Sequence, residues 1–431
     1  MENKTVTMAH GAGGKQTSEL IDQVFKAHFV NNDLTADDAA VLVPPAGRMA
    51  VSTDGFIVSP AFFPGGNIGK LSICGTVNDL ACMGAKPLYL TCAFVIEEGF
   101  PMEKLEEIAA AMEKTAKEAG VHIVSGDTKV AGKGQVDGIF ITTTGMGEIE
   151  EGVTVGGELA KPGDAIIVTG DIGRHGCTIL LEREDFGIDA DVTSDCAPLW
   201  KTVKAVMDTT HNLHVIRDAT RGGVGTVLYE IAGQSSVGIR LNAEAVPVRP
   251  EVKGVCGMLG LEPLYLACEG RLVIMAPKEE AESIVETLRK CPYSANAAII
   301  GEVIAEEPGR VIMETEIGTQ ALLHSRGESF YQESVNRRSQ GMETRVAVIS
   351  IIVEQEDAIE ELNILLHEAR QYIVGRMGIP YRAKGISIIS IVIDAPQDTI
   401  SALSGKIGRL KGVSAKTAYS NVITPAEGGT K

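Results

Sequence analysis

A mixed α/β (α+β) fold divided into three domains is predicted by two patterns in the chain. Strand-like stretches such as MAVSTDGFIV and GIFITTTGMG alternate with longer runs that have the apolar spacing of helices. After a polar stretch the order strand, helix, strand, strand, helix, strand occupies the remainder, residues 342–431.

Residues 1–151 read as an α+β or α/β layer. The two strand-like stretches bracket NIGKLSICGTVNDLACMG and MEKLEEIAAAMEKTAKEAG. In the second, Leu105, Ile108, Ala109 and Met112 share one helical face and Gly120 ends the run. In residues 152–323, KPGDAIIVTGDIG gives a turn, a buried strand and a glycine-rich exit. RGGVGTVLYEIAGQ gives a glycine turn followed by a helix, and RLVIMAP and GRVIMET give strands. Residues 324–341, HSRGESFYQESVNRRSQG, carry both charge signs without a sustained period and read as a linker. The last domain, 342–431, has the ferredoxin-like element order and contains no cysteine.

With 431 residues the chain has room for two to four domains of roughly 100–200 residues. Its 44% hydrophobic and 22% charged content is that of a globular protein, so disorder is not expected. No apolar run approaches the ~18 residues of a membrane helix, and the opening MENKTVTMAHGAGGK lacks the apolar core of a signal peptide. A cytoplasmic location follows by elimination. All eight cysteines lie at or before Cys291 with no CxxC pair, which argues against a zinc ribbon, a redox dithiol or a disulfide framework. The net charge of −18 argues against general nucleic-acid binding, because a phosphate backbone would be repelled. A free nucleotide arriving with magnesium is still compatible, since clustered carboxylates then help.

The segment HGAGGKQTSELI places His10, Gly11, Gly13, Gly14 and Lys15 ahead of a helix-like run. Glycines let backbone N–H groups approach phosphate oxygens, and a lysine adds positive charge. It is not a Walker A loop, because Ala9 and Gln16 break the required spacing. The same residues also make an ordinary turn. Six aspartates lie at the edges of apolar runs or glycine turns: Asp37, Asp38, Asp54, Asp79, Asp127 and Asp218. A carboxylate so placed loses hydration unless it finds a partner. Magnesium, which takes oxygen ligands, is one partner; helix caps and turn hydrogen bonds are the other. Lys129 offers a second phosphate cation or a surface charge. Asn78 offers a ligand contact or a local cap. His10 and His175 are loop histidines that could meet substrate. Cys74, Cys82 and Cys92 sit in apolar runs and read as inert buried thiols.

Taken in order, HGAGGK, DDAAVL, STDGF, FFPGGNIGKLSICGTVNDLACMGAKPLYL, EEGFP, VSGDTKV, GDIGRHG and RDATRGGVGTVLYEIA resemble the HypE hydrogenase-maturation family. That family belongs to the AIR synthase (PurM-like) superfamily, and the resemblance runs from His10 to about Leu323. It implies an amino-terminal half that builds an ATP site, largely across a homodimer through a shared β-barrel, and a second α/β half that closes over it. It implies magnesium at Asp38, Asp79 and Asp218, supported by Asp54 and Asp127. Nucleotide contacts would come from Gly13, Gly14, Lys15, Asp54, Asn78, Asp127 and Lys129, and catalytic roles fall on Lys15, Asp79 and His10. The implied chemistry is ATP-dependent activation of an amide-type oxygen, followed by loss of phosphate.

In that family the acceptor is a cysteine thiol ending a tail with the motif PRIC; the carbamoyl group it carries is dehydrated to a thiocyanate, the source of a cyanide ligand for a nickel–iron site. Here TQALLHSRGESF runs into Tyr331 with no such motif, and no cysteine follows Cys291. The expected acceptor is therefore a separate substrate or another protein, such as a second maturation protein. The last domain resembles the iron-only hydrogenase system regulators, similar to ACT and NikR carboxy-terminal modules, and could take a small effector. Met342 followed by ETRVAV reads like the start of a free-standing protein, as in a fusion. Three readings stand: an ATP-hydrolysing maturation enzyme, a nucleotide-binding sensor without turnover, and an AIR synthase-type enzyme acting on a free amide.

Overall fold

The computed structural model describes residues 5–12, 14–34, 39–183, 186–314, 320–323, 344–355, 358–369, 372–381 and 386–424. They gather into two compact units, the first made of residues 1–252 and 263–323 and the second containing the carboxy-terminal domain. The expected linker lies outside the described residues, except that the last domain is described from Thr344 onward.

In the first unit, helix α1 (Lys15–Leu20) runs through a π-helical turn, Ile21–Phe25, into α2 (Lys26–His28). Strand β1 (Met49–Phe56) and the two-residue strands β2 (Phe62–Phe63) and β3 (Gly66–Asn67) lead to α3 (Ile68–Cys82). Next come β4 (Ala85–Glu97), α4 (Met102–Ala119), β5 (His122–Ala131) and β6 (Ile139–Ile149). The sheet order is β1-β6-β4-β5, antiparallel except for the parallel pair β4–β5.

Helix α3 starts where the Asn67 side chain accepts from the Lys70 N–H at 3.1 Å. It is buried on almost every side, which is why NIGKLSICGTVNDL has no amphipathic stripe. Two glycines set its closeness to neighbours. A Cβ at Gly69 would fall 2.4 Å from the Ile108 carbonyl oxygen, and one at Gly75 would fall 2.6 Å from the Phe56 ring. Helix α4 buries the expected Leu105, Ile108, Ala109 and Met112, and Gly120 ends it at φ +75°. The sequence reading has no strand at β4 or β5. The period of β4 is blurred by Pro87, that of β5 by Gly126 and the polar run SGDTK, and each pairing has a register shift.

The second sheet has seven strands: β7 (Asp164–Val168), β8 (Val215–Asp218), β9 (Gly238–Asn242), β10 (Leu272–Pro277), β11 (Ala298–Ile304), β12 (Val311–Glu314) and β13 (Gln320–Leu323). Their order is β13-β12-β9-β11-β7-β10-β8. Its helices are α5 (Arg174–Arg183), α6 (Trp200–Thr209), α7 (Gly223–Ser235) and α9 (Ala281–Lys290); α8 (Pro250–Leu259) begins in the first unit, and its residues from Lys253 are grouped with the second. One apolar core runs from α3 and α4 into α6, α9 and the near face of this sheet. The expected boundary at residue 151 therefore divides two sheets that share a core.

The carboxy-terminal domain runs β14 (Thr344–Val353), α10 (Ala358–Glu368), β15 (Ile373–Tyr381), β16 (Ile386–Ala395), α11 (Gln397–Ile407) and β17 (Val413–Thr424). Its antiparallel sheet has the order β15-β16-β14-β17. Ala347, Ile349 and Ile351 alternate inward to meet Leu362 and Ile400 from the two helices.

Candidate active site

Three of the sequence-selected aspartates come together. Asp54 lies on the face of β1 that α3 covers, with Oδ2 3.6 Å from where a Cβ at Gly75 would sit. One helical turn further along α3 is Asp79, whose Oδ2 accepts from the Ser52 hydroxyl at 2.6 Å. Ser52 and Asp54 are two residues apart, so they share that face of β1. Asp218 ends β8, which packs against α3.

The electrostatics record this proximity. Burial pushes the Asp79 carboxyl up to about 6, with the Ser52 bond opposing and Asp218 and Asp54 adding. Asp218 is raised by burial, partly offset by Arg217 and raised further by Asp54. Arg221 stands 3.8 Å from Asp54. Among the described residues, no three of His, Cys, Asp and Glu are close enough to make a metal centre by themselves. Such a set suits magnesium that brings phosphate and water oxygens with it, held by one or two carboxylates.

A fourth acid belongs here and sequence reasoning missed it. Glu269 precedes β10, and burial holds its carboxyl well above the usual range, reinforced by Cys196, Asp195, Asp218 and Asp54. Its signal was a lone glutamate inside the apolar run LYLACEGRLVIM.

A second group forms on the opposite edge of the first sheet. Asp127 and Lys129 on β5 pair with each other at 3.0 Å and are exposed. The glycine–lysine turn rests beside them, since a Cβ at Gly11 would lie 2.6 Å from the Val130 nitrogen. Gly14 adopts φ +94°, a conformation natural only to glycine, and opens α1 at Lys15. Lys15 is exposed, 3.7 Å from Glu19. His10 sits in an exposed turn where Nδ1 accepts from the Thr7 N–H at 3.0 Å. Between this segment and β5 lies a cavity of ≈ 350 Å³, lined by Thr17, Phe25, Phe29, Phe94, Asp127 and Thr128 among others.

The two groups do not meet within one chain. Asp127 pairs with Ala93, Ala93 with Thr142, and Thr142 with Gly55, the neighbour of Asp54. That is three strand spacings, about 14 Å. Asp54 pairs with buried Thr143, whereas Asp127 shares the open face with exposed Ala93. The expectation that Asp127 supports the same cation as Asp79 does not fit this chain's own geometry, because strand alternation aims them to opposite sides of the sheet.

Asn78 differs from expectation too. Its Nδ2 donates to the Ala197 carbonyl at 3.0 Å and its Oδ1 accepts from the Leu199 N–H at 2.8 Å, so its amide ties α3 to the 196–199 loop. His175 is buried, bonded to Ser194 at 2.9 Å and edge-on to Phe63. Cys74, Cys82 and Cys92 are buried as expected. Gly13, Asp37 and Asp38 lie outside the described residues.

Comparison with known proteins agrees with the fold. The pattern of the AIR synthase related protein, N-terminal domain, matches residues 36–149, and that of its C-terminal domain matches 161–314. The TM1266-like iron-only hydrogenase system regulator pattern matches 345–417. Carbamoyl dehydratase HypE from Azotobacter vinelandii is 46% identical over 320 residues, 74% of this chain and 94% of that one. A crystal structure of HypE in complex with ATP superposes with TM-score 0.72 at 47% identity, covering 74% of this chain and 97% of the other. HypE in a HypE–HypF complex superposes with TM-score 0.63 at 46% identity, covering 71% and 99%. With these relatives 46–47% identical over about three quarters of its length and both AIR synthase-related patterns matched, the chain belongs to the HypE family of AIR synthase-related proteins.

Proposed function

We propose that this protein uses ATP to dehydrate a carboxamide-type group, a thiol-bound carbamoyl, during assembly of a hydrogenase metal centre. The carrying observation is the convergence of Asp54, Asp79 and Asp218 from β1, α3 and β8, with Glu269, whose carboxyl burial raises above the usual range, nearby. The amide oxygen attacks the γ-phosphorus, ADP departs, and the nitrogen gives up one of its two N–H protons to solvent. The C–O bond of the resulting phosphoimidate then breaks, leaving the nitrile and phosphate. Glu269 gives its proton to the departing phosphate oxygen and takes up the N–H proton. Magnesium, when bound, would neutralise phosphate charge, held by one or two carboxylates of the Asp54, Asp79 and Asp218 set, with Asp38 a further donor suggested by the family resemblance. The missing PRIC tail makes the acceptor thiol part of another molecule.

The active form is a homodimer. The acid cluster and the Lys15–Asp127–Lys129 group occupy opposite edges and opposite faces of one sheet, and a second copy seated on the open face can complete each with the other. That face carries exposed Met49 and Val51, which fits such a cover. Lys15 and Lys129 then meet phosphates, and the ≈ 350 Å³ cavity, lined by three phenylalanines, suits the nucleoside base. The carbamoyl donor is another maturation protein, in keeping with the HypE–HypF complex of a relative. A sensor reading is favoured by the regulator-type last domain, which would bind a small effector.

Purified protein with Mg-ATP and an S-carbamoylcysteine peptide, followed for phosphate release and thiocyanate formation, tests the proposal. Phosphate release stimulated by the peptide is expected. Nucleotide binding without turnover would leave only the sensor.

A further inference from the structure

We infer that Asp195, which faces the buried Arg271, is the positioning residue for Glu269. The inference rests on the role just given to Glu269. Arg271 is among the largest fully buried side chains of the protein. Its Nε donates to the Asp171 carbonyl at 2.8 Å, Nη1 to the Gly270 carbonyl at 2.7 Å, and Nη2 to Asp171 Oδ1 at 3.2 Å. Asp195 Oδ2 faces the same guanidinium at 3.9 Å. The other oxygen, Asp195 Oδ1, accepts from the Glu269 N–H at 3.2 Å.

The Glu269 peptide is thus gripped at both ends, because its carbonyl accepts from the Ala197 N–H and from Asn78 Nδ2, each at 3.4 Å. Two glycines clear the space. A Cβ at Gly270 would lie 1.9 Å from the Asp195 carbonyl oxygen, and one at Gly170 2.8 Å from Arg271 Nε. The planar guanidinium suits this site because it holds three donors in one rigid fork toward Asp171 and Gly270, where an ammonium offers only a compact, rotating set. The carboxylate is needed because only an acceptor at that point fixes the N–H, and with it the direction of the Glu269 side chain.

Both side chains are buried, so the loss of Asp195 should act through Glu269. Asp195→Ala is expected to lower kcat about 10²-fold, the cost of a misplacement near 1 Å, with KM for Mg-ATP changed less than about twofold. Asp195→Asn keeps the acceptor and should recover most of the rate. In Glu269→Gln, adding Asp195→Ala should cost nothing more. Independent, multiplying effects would overturn the inference, as would a KM effect equal to the kcat effect. Should Asp195→Ala not fold, Arg271→Lys is read against the same pattern. If the wild type shows no turnover, the dehydratase reading fails, and hydrogen exchange at the Glu269 amide still decides this one. Protection lost in Asp195→Ala and kept in Asp195→Asn supports it; protection unchanged in both sinks it.

Discussion

The hydroxyl of Ser52 lies 2.6 Å from Asp79 Oδ2, joining strand β1 to helix α3 at the point where Asp54 also approaches that helix. That bond partly offsets burial and neighbouring charge, yet the Asp79 carboxyl still stands at about 6. Because its folded value lies above its unfolded one, its stabilising contribution is full below pH about 4 and is lost as pH rises through 6. Asp79→Asn should therefore stabilise the nucleotide-free protein at pH 7–8 by about 2 kcal/mol after allowance for partial screening, and change little at pH 4. The same variant should abolish magnesium-dependent ATP binding in calorimetry.

The opposite sign applies to His175. Burial lowers its imidazole to about 4, against a smaller opposing pull from Asp195. A depressed histidine contributes stability above pH 6.5 that is lost as pH falls toward 4, about 3 kcal/mol in all. Thermal melts from pH 7 to 4 should record that loss, and His175→Asn should flatten it.

Removing the Asn78 amide leaves the Leu199 N–H and the Ala197 carbonyl unpaired in a buried seam. Asn78→Ala should destabilise the protein by about 2–3 kcal/mol in denaturant melts, with a lower midpoint and an unchanged slope.

If the two groups of the sheet complete each other across two copies, inactive partners should rescue one another. Mixing unfolded Lys129→Ala and Asp79→Asn chains and refolding them gives half heterodimers, each with one intact site of two. Recovery to about a quarter of wild-type activity is expected. No recovery would point to sites built within one chain.

The helices with clear periodicity were legible, α4 above all, because its one buried face repeats every three to four residues. Helix α3 was legible from its length despite having no stripe. Asp54, Asp79 and Asp218 were readable as polar interruptions in apolar surroundings. Glu269 was not chosen, because one acid ahead of a strand looks like a strand boundary, and only the folded sheet sets it beside Asp218. The separation of Asp127 from Asp54 could not be read either. It depends on sheet order, which joins β5 to β4 and β1 to β6, and local sequence does not encode which strands become edges.

Gly69 and Gly75 let α3 press against α4 and Phe56 with no slack, so the acids rest on a floor that cannot shift without disturbing the core on every side. In the proposed homodimer, any motion that admits or releases a bulky nucleotide is then expected in the glycine-rich stretch ahead of α1 that the second copy would bring to the acids. Rate changes from substitutions there should track ligand exchange and leave bond making alone.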